Sequence, residues 1–193
     1  MRSLDGNDTV MGSSRTDVVN GNRGEDLLEG DDGDDYLRGG RDDDRIDGDD
    51  DDDLLNGNLG DDRVEGGSGD DFVRGGQGDD SLFGGRGDDV LIGDFGTDTL
   101  TGDSGSDTFV LRRQTEVGSF FAVDVIADFG SSDRIVLAGS FRTNEVFAVS
   151  VGNDVAFQLD TGGFLGVVRN TSINNVLNAT VVVSEADPAL AIG

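Results

Sequence analysis

The 193 residues carry 41 acidic against 14 basic side chains, a net charge of −27, with 32 Gly, one Pro and no Cys, His or Trp. Such a charge opposes compaction by self-repulsion and makes nucleic acid and anionic membrane poor partners, which leaves cations as the obvious ones. The missing Cys excludes disulfide staples and thiolate metal sites, and the missing His removes the usual zinc ligand and general base.

In chain order, the opening MRSLDGNDTV lacks the apolar core of a cleaved secretory signal, and no run is long and apolar enough to span a membrane. From Ser3 to Val110 the chain then holds a nine-residue frame through twelve units without an insertion. Position 1 is Gly in eleven units, Ser3 being the exception, and position 4 is Gly in nine, broken by Arg15, Asp42 and Asp51. Position 6 is Asp in all twelve: Asp8, Asp17, Asp26, Asp35, Asp44, Asp53, Asp62, Asp71, Asp80, Asp89, Asp98 and Asp107. Position 8 is apolar in all twelve, from Val10 to Phe109.

The spacing predicts a turn of about six residues followed by a strand of three. Gly, Asn and Asp at positions 1, 2 and 4 are expected to meet a demand for positive φ. One short strand cannot bury its single inward side chain, but stacked strands can, so the units are expected to wind into a parallel solenoid. Two units make one coil. Twelve units make six coils, a stack roughly 29 Å long at about 4.8 Å per strand.

Turns of units n and n+2 then stack in two edge columns, and their carboxylates and carbonyls form a ladder of hard oxygen ligands, about six per gap, that suits Ca2+ better than Mg2+. Two columns of six turns leave five gaps each, hence about ten Ca2+. The position 5 carboxylates are expected to point outward and add field and solubility.

Position 7 of the even units reads Val18, Tyr36, Leu54, Phe72, Val90 and Thr108. An apolar column on one sheet face asks for a cover. The choices are the chain's own tail, with Phe120, Phe121, Val123 and Val125 as the lid, or a homodimer or partner protein. The odd units instead place Arg45 and Arg63 near Asp47 and Glu65, an expected ion-pair lattice.

After Val110 the frame stops and the chain becomes less acidic, with 5 Arg against 9 carboxylates in residues 111–193. The segments FFAVDVIADF, DRIVLAG, EVFAVSV, DVAFQLD, FLGVVRN and NATVVVS read as strands separated by turn signals such as VGND and DTGG. The expected architecture is therefore all-β: a parallel β-roll over residues 3–110 and a β-rich C-terminal capping module over 111–193.

The units GGSGDDFVR, GGQGDDSLF and GGRGDDVLI follow G-G-x-G-x-D-x-(apolar)-x. Over residues 3–110 the chain resembles the RTX (repeats-in-toxin), hemolysin-type calcium-binding family. The resemblance implies Ca2+ held by the position 6 carboxylates and by backbone carbonyls of the turns. The turn glycines concerned are Gly21, Gly24, Gly30, Gly33, Gly39, Gly48, Gly57, Gly60, Gly66, Gly69, Gly75, Gly78, Gly84, Gly87, Gly93 and Gly96. It also implies a secreted bacterial protein, extracellular or on the cell surface, exported through type I secretion machinery that reads an uncleaved C-terminal signal. DVIADFGSSDRIVLAG is similar to the segment that often follows the roll, and EADPALAIG to a secretion-signal terminus. Arg15, Ser3 and Leu4 depart from the pattern, so the first coil is expected to fray or bind weakly.

Every acidic pair is generated by the repeat, which argues against paired carboxylates of glycosidase type. GGxG here has no following helix and no Lys, so a phosphate loop fails. The reading is a non-enzymatic chain in which Ca2+ binding couples folding to export into a calcium-rich environment. The alternatives are a surface-layer or matrix component assembling through its apolar face, and the C-terminal RTX part of a larger secreted protease or lipase.

Overall fold

Each unit sends one apolar side chain inward, and these stack. In the computed structural model, which describes residues 5–112, 123–139 and 145–183, Val19, Leu37, Leu55, Val73, Leu91 and Phe109 rise in one buried column. Leu28, Ile46, Val64, Leu82, Leu100 and Ile126 rise in the other, and the two share one core.

The strands of the repeats are β1 (Thr9–Met11), β2 (Val18–Asn20), β3 (Leu27–Glu29), β4 (Tyr36–Arg41), β5 (Arg45–Asp50), β6 (Leu54–Leu59), β7 (Arg63–Ser68), β8 (Phe72–Gln77), β9 (Ser81–Arg86), β10 (Val90–Phe95), β11 (Thr99–Ser104) and β12 (Thr108–Arg112). They are followed by β13 (Asp124–Ile126), β14 (Arg134–Ala138), β15 (Val146–Val151), β16 (Asp154–Leu159), β17 (Phe164–Val168), helix α1 (Ile173–Ala179) and β18 (Thr180–Val183). Odd units pair with odd and even with even, always parallel and in register at a step of 18 residues, as in Val64↔Leu82 and Val73↔Leu91. The result is an all-β parallel solenoid of about six coils between two sheets.

From β4 to β11 the strands have six residues, not three. Pairing runs on through positions 1 to 3 of the next unit, as in Asp94↔Gly76 and Phe95↔Gln77, so the true turn is only positions 4 to 6. At position 1 only glycine fits, because a Cβ there would collide with the next coil's backbone or with the position 6 carboxylate.

Parallel stacking also continues past residue 110. Strand β13 pairs with β11, β14 with β12, β17 with β13, and β18 with β14. The antiparallel meander β15–β16–β17 finishes the ten-stranded sheet, and α1 packs Val176 into the end of the core. All six tail segments read as strands contain one; α1, capped by Ser172, was not expected and takes up Asn178 and Ala179.

The even outer face is covered at one end only. Ile92, Val110, Val136 and Ala138 are buried there, with Phe72 and Val90 packed against them, while Val18 is 59% and Tyr36 37% exposed. The proposed lid is corrected in part. Val125 sits within β13 and Val123 packs with Ala156 and Val167, both with the ten-stranded sheet, because β13 joins the odd column through Asp98. Phe120, Phe121 and the EADPALAIG terminus lie outside the described residues.

Candidate metal centre

The backbone register brings the position 6 carboxylates into two columns, Asp8, Asp26, Asp44, Asp62, Asp80, Asp98 and Asp17, Asp35, Asp53, Asp71, Asp89, Asp107. Within a column each backbone amide donates to Oδ1 of the Asp one coil further on: Asp44 to Asp62 and Asp62 to Asp80 at 2.8 Å, Asp53 to Asp71 at 2.8 Å, Asp71 to Asp89 at 2.9 Å. A carboxylate accepting a backbone N–H fixes the turn below it and orients its own second oxygen.

That second oxygen is the telling atom. Oδ2 of Asp26, Asp35, Asp44, Asp53, Asp62, Asp71, Asp80, Asp89 and Asp98 is buried and accepts no hydrogen bond. A buried anion without a partner costs several kcal/mol, so nine of them in the two columns need compensation. In the cation-free chain the compensation is a proton: burial pushes Asp80 up to about 8 and Asp44, Asp53 and Asp107 up to about 7, partly offset by the amide each accepts. The Asp62, Asp71, Asp89 and Asp98 carboxyls rise to about 6 for the same reason.

The position 1 glycines Gly21, Gly30, Gly39, Gly48, Gly57, Gly66, Gly75, Gly84 and Gly93 stand against these oxygens. A Cβ on any of them would come closer than 3.0 Å to Oδ2 of the Asp five residues on. None has positive φ, which corrects the reading of position 1. Glycine is required there by close approach, since the carbonyl of the next coil's glycine crowds the same spot, as Gly84 does over Gly66 at 2.5 Å.

The position 4 glycines Gly24, Gly33, Gly60, Gly69, Gly78, Gly87 and Gly96 do have positive φ. Asp42 and Asp51 are also at positive φ, 75° and 79°, and each carboxylate offsets part of the strain by accepting the amide of Gly24 or Gly33 at 3.1 Å.

A second ladder was missed from sequence. The position 5 carboxylates are exposed, as expected, yet the six from Asp43 to Asp88 each accept an amide from the coil beyond: Asp61 to Asp43 at 2.9 Å, Asp70 to Asp52 at 2.7 Å, Asp79 to Asp61, Asp88 to Asp70, Thr97 to Asp79 and Ser106 to Asp88 at 2.8 Å. The two acids of a pair therefore clamp in opposite directions, position 6 toward the coil before and position 5 toward the coil after. Thr97 and Ser106, at position 5 of the last two units, have no further nonapeptide to hold. That substitution pattern was the available signal.

The start of the even column differs. Ser13 donates from its amide and hydroxyl to Oδ2 of Asp17 at 2.8 and 2.9 Å, so that oxygen is already served. On the outer odd face, Arg45 lies 4.0 Å from Asp47 and 3.9 Å from Glu65, and Arg63 pairs with Glu65. These exposed pairs shape the surface and contribute little stability.

No three acidic side chains converge on one point among the described residues. What nine of the ten gaps offer is one dehydrated carboxylate oxygen beside backbone carbonyls, a hard, all-oxygen donor set that fits Ca2+. The profile of the RTX calcium-binding nonapeptide repeat (4 copies) matches residues 3–37, 29–64, 38–73, 56–91 and 74–109.

The chain belongs to the RTX calcium-binding nonapeptide repeat family.

No curated protein matches it. Among solved structures it is similar to the extracellular lipase LipA from Serratia marcescens at 18% identity and TM-score 0.40, covering 94% of this chain and 40% of the lipase. It is also similar to the AlgE6R3 subunit of the Azotobacter vinelandii mannuronan C5-epimerase at 19% identity and TM-score 0.28, over 98% of this chain and 84% of that one. The RTX chain thus spans well under half the length of the lipase.

Proposed function

We propose that this chain is a calcium-driven folding module: the position 6 carboxylates, with turn carbonyls, take Ca2+ into the gaps between stacked turns, and the roll forms only where calcium is plentiful. The observation that carries the reading is the set of nine buried, partnerless Asp Oδ2 atoms in the two columns, each aligned by an amide on its other oxygen. Bound Ca2+ supplies the positive charge that lets these oxygens stay ionised inside the stack.

Coupling to export follows from the same physics. At −27 the calcium-free chain is self-repelling, which suits a polypeptide threaded through type I secretion machinery and folded on the calcium-rich side. At calcium ten times the dissociation constant each site contributes about 1.4 kcal/mol, so about ten sites supply ~14 kcal/mol, comparable with the stability of a whole domain.

The test is a titration of the full chain with Ca2+ and separately with Mg2+, followed by circular dichroism and sedimentation. Cooperative gain of β-structure and compaction at lower Ca2+ than Mg2+ supports the reading. A β-rich fold intact in chelator at about pH 8, where most of the buried carboxyls are no longer held neutral, overturns it. Calcium-induced polymers in place of monomers would favour a surface-layer or matrix role through the face bearing Val18 and Tyr36.

A further inference from the structure

We propose that the odd column carries one more cation site beyond the nonapeptides, held between Asp98 of the last odd unit and Asp124 of the tail. The proposal rests on the calcium reading above and extends it to a residue outside the repeats.

Asp124 stands 17 residues after Asp107, where the frame would demand nine, so periodicity does not reach it. The backbone does. The amide of Val125 donates to the Asp98 carbonyl at 2.7 Å, as Thr99 does to Asp80 at 2.9 Å. The amide of Asp98 donates to Asp124 Oδ1 at 3.2 Å, the same contact that Asp80 makes to Asp98 at 2.9 Å. Asp124 therefore occupies the next rung of the ladder.

At this rung two carboxyl groups face each other inside the protein. Asp98 is 0% and Asp124 2% exposed, the Asp98 amide is bonded to Asp124 Oδ1, and Oδ2 of Asp98 has no partner. Among the described residues neither is paired to an Arg; Arg74 and Arg112 are both spent on Asp94. Two buried anions on adjacent rungs demand a counter-charge, and a hard divalent cation matches two carboxylates.

The even column ends differently. Asp133 takes the matching rung, accepting the amide of Asp107 at 3.2 Å, but its Oδ2 accepts the Gly130 amide at 2.7 Å. That carboxylate is served by its own loop and closes the column without a cation. The two columns are thus predicted to stop one site apart.

The test counts ions on the calcium-loaded full chain by native mass spectrometry for the wild type, Asp124→Asn and Asp133→Asn. Asn keeps an Oδ1 acceptor for the Asp98 amide and removes the charge. The expected result is one Ca2+ fewer for Asp124→Asn and no loss for Asp133→Asn. Equal counts for the wild type and Asp124→Asn would mean that the two acids share only a proton, and would overturn the proposal while leaving the repeat sites standing. A wild type that binds no Ca2+ would instead overturn the calcium reading itself. Should Asp124→Asn fail to fold, anomalous diffraction from wild-type crystals grown in Ca2+ decides: an ion between Asp98 and Asp124 upholds the site, and its absence beside filled repeat gaps refutes it.

Discussion

The amide of Asp62 donates to Oδ1 of Asp80 across one gap of the stack at 2.8 Å, and the other oxygen of Asp80 is buried with no partner. One carboxylate thus performs two separable tasks, aligning the coil before it and presenting charge to the gap.

Substitutions can pull these apart. Asp80→Asn keeps the amide acceptor and should lower calcium affinity in the odd column with little change in urea stability at saturating calcium. Asp80→Ala also strands the Asp62 amide, which adds about 1–3 kcal/mol of destabilisation. Asp71→Ala should act the same way in the even column through Asp53. Asp8→Ala should matter less, because Asp8 lies in the first unit of the nine-residue frame, whose Ser3 and Leu4 depart from the pattern. Calcium titration of the four variants checks this; equal losses from Asp8 and Asp80 would show the column assignment to be wrong.

The crowding at position 1 gives a second prediction. Gly75 has ordinary φ, yet a Cβ there would collide with Oδ2, Cγ and Cβ of Asp80. Gly75→Ala should cost roughly 1–3 kcal/mol by overpacking and weaken calcium binding in the same gap. Gly152 is the control: it has positive φ of 67° but open space around it, so Gly152→Ala should cost about 1–2 kcal/mol through backbone strain alone and leave calcium affinity unchanged. Paired calcium and urea titrations separate the two.

Much of this was legible in advance because the repeat sets the register. A period of nine with Asp at position 6 and an apolar residue at position 8 dictates parallel strands at a step of 18, one inward residue per unit, and two carboxylate columns. Three features were not legible. Strand length was misjudged because the Gly, Asn and Asp at positions 1 and 2 look like a turn, whereas the backbone ladder runs on through them to position 3. The role of Gly75 and its equivalents was misassigned because φ and close approach both select glycine. Asp124 and Asp133 were hidden by the longer spacing before Asp124, although the Asp-x-apolar pattern of Asp124, Ile126 and Asp133, Ile135 repeats that of the roll.

The raised carboxyls predict how the fold answers to pH. Asp44, Asp53 and Asp107 at about 7 and Asp80 at about 8 hold protons more tightly in the cation-free stack than at the ordinary value of 3.8. Protonation therefore stabilises that stack fully below the ordinary value, and the contribution is lost as pH rises through 6 to 8. In chelator, β-structure should increase as pH falls from about 8 to about 5, helped by relief of self-repulsion. With calcium the sign reverses, since ionised carboxylates bind the ion: the calcium midpoint should fall as pH rises over the same window. Circular dichroism in both buffers measures it, and a calcium midpoint independent of pH would contradict the assignment.

The even outer face supplies a last contrast within one column of side chains. Tyr36 and Phe72 both stand at position 7, two coils apart, and point to the same side of the eight-stranded sheet. Phe72 packs with Val90 against the buried Ile92, Val110, Val136 and Ala138, while Tyr36 is 37% exposed. A carboxylate at Phe72 would intrude on that cluster, so Phe72→Asp should destabilise the calcium-loaded protein by about 2–4 kcal/mol. Tyr36→Asp, in an already acidic and wetter setting, should shift stability by only about 0.5 kcal/mol. Urea unfolding at saturating calcium tests the difference. Should Tyr36→Asp instead dissociate a calcium-loaded oligomer seen by sedimentation, the exposed end of this column is an interface; unchanged sedimentation would leave Val18 and Tyr36 as ordinary solvated surface.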